Sequence, residues 1–166
     1  GARRLNETLP EALAALPPGA LEVWHQTGES ALEATRAAYA ALGLSARVDA
    51  FIDDMPAAYR WADAAVCRAG AMTVAELAAA GLPALLVPFP HAVDDHQTAN
   101  GRFMVEAGAA LMLQDAELNP QSLAKVLMGW LEDRAGLLDL GRRAHALARP
   151  DAAASVANYC LELLHA

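Results

Sequence analysis

A chain of 166 residues with 55% hydrophobic content carries enough apolar material for one full-sized core. Its formal net charge of −8, with Lys125 the only lysine, excludes the basic face that nucleic-acid binding requires. No uncharged apolar run reaches the roughly 18 residues of a membrane span, and no apolar leader core stands near the start, so neither a transmembrane helix nor a signal peptide is expected.

Taken in chain order, residues 1–6 read as a loop entering a helix. Residues 21–27 are predicted as a strand and 29–43 as a helix closed by Gly43. Residues 47–52 form the second predicted strand. A short helix follows, with Asp54 as N-cap and Pro56 in its first turn, where the missing N–H costs nothing. Residues 64–68 are the third strand. A helix over 73–80 ends at Gly81-Leu82-Pro83, with a left-handed cap followed by a residue that cannot continue the helix. The fourth strand, 83–89, is apolar throughout, as expected when helices cover both faces of a parallel sheet. A helix over 95–107 and a fifth strand over 110–113 complete the alternation.

The tail from about residue 119 is helical. Asn119-Pro120 is a cap and first turn, and Leu123, Val126, Leu127, Trp130 and Leu131 fall on one helical face. A helix over 134–149 stops at Pro150. In the last helix Val156, Tyr159, Cys160, Leu163 and Leu164 repeat the apolar spacing. Cys67 and Cys160 stand far apart and are expected as free buried thiols.

Strand–helix alternation implies an α/β fold with a Rossmann-like, doubly wound parallel sheet and flanking helices. Such a domain normally opens on a strand, so the first strand is expected to be missing here. Ligands of such sheets sit beyond the carboxyl ends of the strands. The loops after Thr27, Ile52, Cys67 and Phe89 are therefore the candidate site.

After the third strand, Arg68-Ala69-Gly70-Ala71-Met72-Thr73 is a small-residue turn into a helix N-terminus. Free N–H groups and roughly half a positive charge from the helix dipole could make that point an anion site, although the loop alone reads more readily as an ordinary tight turn. Thr73 and Glu76 have capping-box spacing. Equally, the Glu76 carboxylate stands one turn from the anion site, where a ribose diol could donate to it. After the fourth strand, His96 and Gln97 are neutral groups suited to sugar hydroxyls. Asp94-Asp95 and Asp53-Asp54 read as helix caps more readily than as metal pairs. The Ile52 backbone faces the same cleft and could pair with a planar base, or Ile52 is a plain core residue. His25 is read as structural. There is no Ser-His-Asp order and no Gly-x-Gly-x-x-Gly fingerprint.

Together these segments resemble one family. They are Gly1-Ala2-Arg3 with Leu5-Asn6, Trp24-His25-Gln26-Thr27-Gly28, Phe51-Ile52-Asp53-Asp54-Met55, Cys67 through Glu76, Ala80-Gly81-Leu82-Pro83, and Asp95-His96-Gln97 with Asn100. The set resembles the C-terminal half of the bacterial transferases that move N-acetylglucosamine onto undecaprenyl-pyrophosphoryl-N-acetylmuramyl-pentapeptide. The resemblance implies a GT-B fold, with the donor held between two Rossmann-like halves. Residues 1–166 are then one UDP-sugar-binding domain, N-terminally truncated, with a helical tail.

By that resemblance Ile52 meets uracil through its backbone, and Ala71, Met72 and Thr73 line the nucleotide and diphosphate. Val74 and Ala75 share their turn, with Arg68 at its start. Glu76 holds the ribose hydroxyls, and Gln97 with His96 reads the N-acetylglucosamine hydroxyls. The family often carries Gln at the position of His96 and Leu at that of Met72. No cofactor and no metal are expected. The partners implied are UDP-N-acetylglucosamine and, through an N-terminal half, a lipid-linked acceptor. That half is also expected to carry the membrane contact and the catalytic base, which places the whole enzyme at the cytoplasmic face of the inner membrane. The rival readings are a stand-alone nucleotide-sugar-binding subunit that needs a membrane partner, and a related GT-B lipid glycosyltransferase using another sugar.

Overall fold

In a computed structural model the described residues are 2–92 and 95–164. The chain opens with α1 (Arg3–Ala14), which begins earlier than the sequence suggested. Strand β1 (Trp24–Gln26) leads through a 3-10 turn at Glu29–Ala31 into α2 (Leu32–Ala41). Then come β2 (Arg47–Asp49), α3 (Met55–Trp61), β3 (Ala65–Cys67), α4 (Ala71–Ala80) and β4 (Ala84–Leu86). The chain continues with α5 (His96–Glu106), β5 (Leu111–Met112), a 3-10 turn at Asp115–Glu117, α6 (Pro120–Glu132), α7 (Arg134–Ala146) and α8 (Ala152–Leu164).

All five expected strands are present, each shorter than its apolar run, and every pairing is parallel. They form two pieces, β1 with β2 and β3-β4-β5, with no ladder between β1 and β3 among the described residues. The register of the larger piece sets Val66 against Leu85 and Leu85 against Leu111.

Alternation along β4 builds the core on both faces of this sheet. Leu85 and Val87 pack with Leu5, Leu13, Leu123 and Leu127 beneath α1 and α6. Ala84 and Leu86 pack with Val74, Leu77, Met104 and Ala144 beneath α4, α5 and α7. This double burial is why β4 is apolar at every position. Asn119 and Asp133 cap α6 and α7 by accepting the Ser122 and Gly136 N–H groups. Gly81 closes α4 with φ 63°, where any side chain would be strained.

Three expectations change. Helix α7 ends at Ala146 rather than 149. Of the apolar stripe of α8, Val156, Tyr159 and Cys160 are exposed rather than in this core, and the Leu163 and Leu164 side chains lie outside the described ones. Cys160 is therefore not a buried thiol. Cys67 is half-buried and so meets that reading only in part, with burial pushing its thiol up to about 12. Nothing in periodicity distinguishes a stripe that meets this chain's core from one that does not.

His25 is structural, as expected. It is buried; Nε2 lies 3.0 Å from Asn6 Oδ1 and Nδ1 lies 3.0 Å from the Tyr39 hydroxyl. The Asn6 oxygen can only accept, so Nε2 carries the proton and Tyr39 donates to Nδ1. Asn6 Nδ2 in turn donates to the Thr27 carbonyl at 3.0 Å, tying α1 to the end of β1. Burial lowers the His25 pKa to about 4, against about 6.5 when unfolded. The unfolded chain therefore takes up this proton first as pH falls. His25 should withdraw about 3 kcal/mol of stability between pH 6.5 and 4, with no further loss below. Urea unfolding at pH 7, 5.5 and 4.5 measures this slope, and a His25→Gln variant should lack that component.

Candidate donor site

The carboxyl ends of β1, β2 and β3 open onto one end of a cavity that also runs between β1 and β3 to Leu5, Leu13 and Leu127. Gln26, Gly28, Ile52, Tyr59, Arg68, Thr73 and Glu76 lie on its wall. Three loops far apart in sequence thus meet at one place, where a parallel α/β sheet puts its ligand.

The turn after β3 begins α4 two residues earlier than expected. Its N-cap is Gly70, with φ −64° and ψ 145°, and no side chain caps it. Ala71, Met72 and Thr73 are therefore the first three helical residues, and their N–H groups precede the first intrahelical bond, from Val74 N to Gly70 O at 2.9 Å. This is the geometry of an anion site. Ala71 and Met72 are exposed, Met72 by 78%. The Val74 side chain lies in the core at 8% exposure, so that residue offers the turn only its backbone. Ala75 is exposed on the second turn.

The early start of α4 also removes the capping-box reading. Thr73 sits inside the helix, so Glu76 has no cap to close. Instead the exposed Glu76 carboxylate accepts a hydrogen bond from the Tyr59 hydroxyl at 2.8 Å. Burial first, and then Glu76, raise the Tyr59 pKa well above its usual value, so the phenol remains a donor. Sequence reasoning missed Tyr59. It lies on α3, and nothing in a seven-residue helix signals which neighbour it meets.

The Ile52 N–H is already engaged, donating to Gln26 Oε1 at 2.9 Å. A base that pairs with this N–H must displace the Gln26 amide. Asp54 caps α3 as expected, accepting the Ala57 N–H at 2.9 Å.

Arg68 turns away from the anion site. Its Nη1 donates to the carbonyls of Val87 (3.2 Å) and Pro88 (3.0 Å) and to Asp115 Oδ1 (2.6 Å). In the loop after β4, Gln97 Oε1 accepts the Phe89 N–H at 3.0 Å, which leaves its amide NH₂ as the part able to reach a ligand. Asn100 Nδ2 donates to Ala69 O at 3.1 Å and so joins this loop to the turn after β3. His96 is exposed at the first residue of α5. Asp95 occupies the N-cap position with φ 51° but makes no side-chain cap bond, which corrects the caps expected there. Asp94 lies outside the described residues. No group of acidic, His and Cys residues able to hold a metal occurs among the described residues.

The fold and these strand-end loops define a Rossmann-like domain of the kind that makes up one half of a GT-B glycosyltransferase. Residues 1–156 match the model of the glycosyltransferase family 28 C-terminal domain, and the chain belongs to that family. It is 53% identical over 163 residues to the UDP-N-acetylglucosamine–N-acetylmuramyl-(pentapeptide) pyrophosphoryl-undecaprenol N-acetylglucosamine transferase of Marinobacter nauticus, covering 98% of this chain and 45% of that protein. The transferase of the same description from Methylococcus capsulatus is 52% identical over 162 residues, covering 98% and 46%. The crystal structure of Acinetobacter baumannii MurG superposes with a TM-score of 0.89 at 42% identity, covering 98% of this chain and 47% of that one. The glycosyltransferase VinC, solved with dTDP, is 23% identical with a TM-score of 0.57 over 88% of this chain and 35% of its own, and supports the fold alone. The chain spans under half the length of the curated relatives it matches.

Proposed function

We propose that this chain is the donor-binding half of an inverting transferase that moves N-acetylglucosamine from UDP-N-acetylglucosamine to undecaprenyl-pyrophosphoryl-N-acetylmuramyl-pentapeptide. The observation that carries the reading is the convergence of Ile52, of Thr73 in the first turn of α4, and of Glu76 on one cavity. Those groups complement a base, a diphosphate and a ribose in the order in which a nucleotide presents them. The Marinobacter nauticus and Methylococcus capsulatus relatives are named for that sugar transfer.

In the reaction an acceptor hydroxyl attacks the anomeric carbon while the carbon–oxygen bond to UDP breaks. The leaving diphosphate gains negative charge. The N–H groups of Ala71, Met72 and Thr73 stabilise it without reorganising, a role worth on the order of 2.7–4 kcal/mol per donor. Glu76, aimed by Tyr59, accepts from the ribose hydroxyls, and Gln97 with His96 contacts the sugar. The group that deprotonates the acceptor belongs to the N-terminal half, as do the main membrane contact and the acceptor site. The whole enzyme then works peripherally at the cytoplasmic face of the inner membrane. In this chain no described helix is long and apolar enough to cross a membrane.

The reading of residues 1–166 as an N-terminally truncated domain has separate physical support. In a dinucleotide-fold strand order of 3-2-1-4-5-6, β1 and β2 of this chain take places 2 and 3, and β3 to β5 take places 4 to 6. Place 1 then falls between β1 and β3, where the cavity runs between their edges. Two buried donors on that cavity's wall, Arg68 Nε and Trp130 Nε1, have no acceptor. A strand in that place would bring backbone carbonyls.

Calorimetric titration of the full-length protein with UDP-N-acetylglucosamine and with UDP-glucose tests the donor assignment. Binding is expected for the first, and at least about tenfold weaker binding for the second, whose sugar lacks the acetamido group. Equal affinities would point to a related GT-B enzyme using another sugar.

A further inference from the structure

Asp115 is a buried carboxylate, 7% exposed, on the 3-10 turn that follows β5. Two guanidinium groups converge on it. Arg68 Nη1 lies 2.6 Å from Oδ1, and Arg4 Nε, from the first turn of α1, lies 3.5 Å from Oδ2. Arg68 draws its charge pairing from this carboxylate, because its other bonds go to the neutral carbonyls of Val87 and Pro88. A short, charge-assisted contact of this kind holds the guanidinium in one orientation.

The held group spans two loops. The Arg68 backbone starts the turn into α4, while its side chain reaches across to the Val87 and Pro88 carbonyls at the start of the loop that carries His96 and Gln97. The donor reading assigns the first loop to the diphosphate and the second to the sugar. Their separation is therefore set by the Val87–Cys67 backbone bond, by the Asn100–Ala69 bond and, third, by a side chain that Asp115 holds in place.

Resting on that reading, we propose that Asp115 is a positioning residue of the donor site. By fixing Arg68, it adds to the Asn100–Ala69 bond the second side-chain tie that holds the diphosphate turn against the sugar loop. It thus governs how well the site binds a ligand that spans both loops, while a ligand that touches only the first is little affected. UDP is the short ligand and UDP-N-acetylglucosamine the spanning one.

The test compares both ligands on the full-length protein and its Asp115→Asn variant, by calorimetry alongside thermal unfolding. The near-isosteric change should weaken UDP-N-acetylglucosamine binding by about tenfold or more, as expected for a misplaced contact region. UDP binding should weaken by less than about threefold. Asp115→Glu, which keeps the charge, should recover part of the lost discrimination. If Asp115→Asn does not fold, Arg68→Lys makes the same comparison, because a single ammonium keeps the charge but cannot serve the carboxylate and both carbonyls together. Parallel loss of both ligands in step with the melting temperature would make Asp115 merely structural and overturn the proposal, as would unchanged affinity for both. A wild-type protein that binds neither ligand would instead sink the donor reading itself.

Discussion

Glu76→Ala should weaken binding of UDP-N-acetylglucosamine by about tenfold to a hundredfold, equivalent to roughly 1.5–3 kcal/mol for hydrogen bonds to a charged group. Its melting temperature should stay within about 2 °C of wild type, because an exposed substitution to a good helix former changes stability little. The separation of the two effects comes from where α4 begins. With Gly70 as N-cap, Glu76 lies beyond the first turn, where it closes no cap. The hydrogen bond it receives from Tyr59 orients the carboxylate toward the cavity. Tyr59→Phe should produce a smaller loss in the same direction, since it removes the orienting donor and keeps the ligand group. Calorimetry and a thermal melt on the same samples decide the matter. An early melt with normal binding would restore the capping role.

The second large effect is on stability. Gly141→Ala should destabilise the domain by about 2–3 kcal/mol. That corresponds to a fall of roughly 5–10 °C in melting temperature for a protein of this size. On propensity alone the exchange inside α7 would help by up to about 1 kcal/mol. Packing reverses the sign. A Cβ at position 141 would stand 2.6 Å from the Gly81 carbonyl oxygen and 3.2 Å from Pro83 Cδ. Both neighbours belong to the tight exit from α4 into β4, which is backbone and ring and cannot swing aside. Gly129→Ala in α6 is the matched control. Nothing lies within 4 Å of its added Cβ, so that variant should be neutral or slightly more stable. Denaturant unfolding of the pair gives the comparison directly, and equal behaviour of the two would refute the close approach of α7 to α4.

The same close approach shows which kind of information lay in the sequence. Gly81-Leu82-Pro83 announced a helix end on its own, because the left-handed conformation and the missing proline N–H are local properties. That α7 comes to rest on this exit depends on residues some 60 positions away, and no local pattern carries it. Leu85 and Leu86 make the same point for the sheet. A continuous apolar run announced burial on both faces, but only the packed structure assigns Leu85 to the α1–α6 side and Leu86 to the α4–α5–α7 side.

The site divides along the same line. By itself the sequence determined the α/β class, the five parallel strands, the strand-end loops to watch and, through its motif set, the family. These follow from periodicity, turn chemistry and residue identity, which act over a few positions. Only the tertiary structure decided what the individual polar groups do. It started α4 at Ala71 and so released Glu76 from capping. It brought Tyr59 to that carboxylate, set Gln26 on the Ile52 N–H, and turned Arg68 from the anion site toward Asp115. It left Val156 and Tyr159 of α8 exposed. Each of these outcomes rests on contacts between segments distant in sequence, where hydrogen-bond geometry and burial choose among partners that local sequence leaves equivalent.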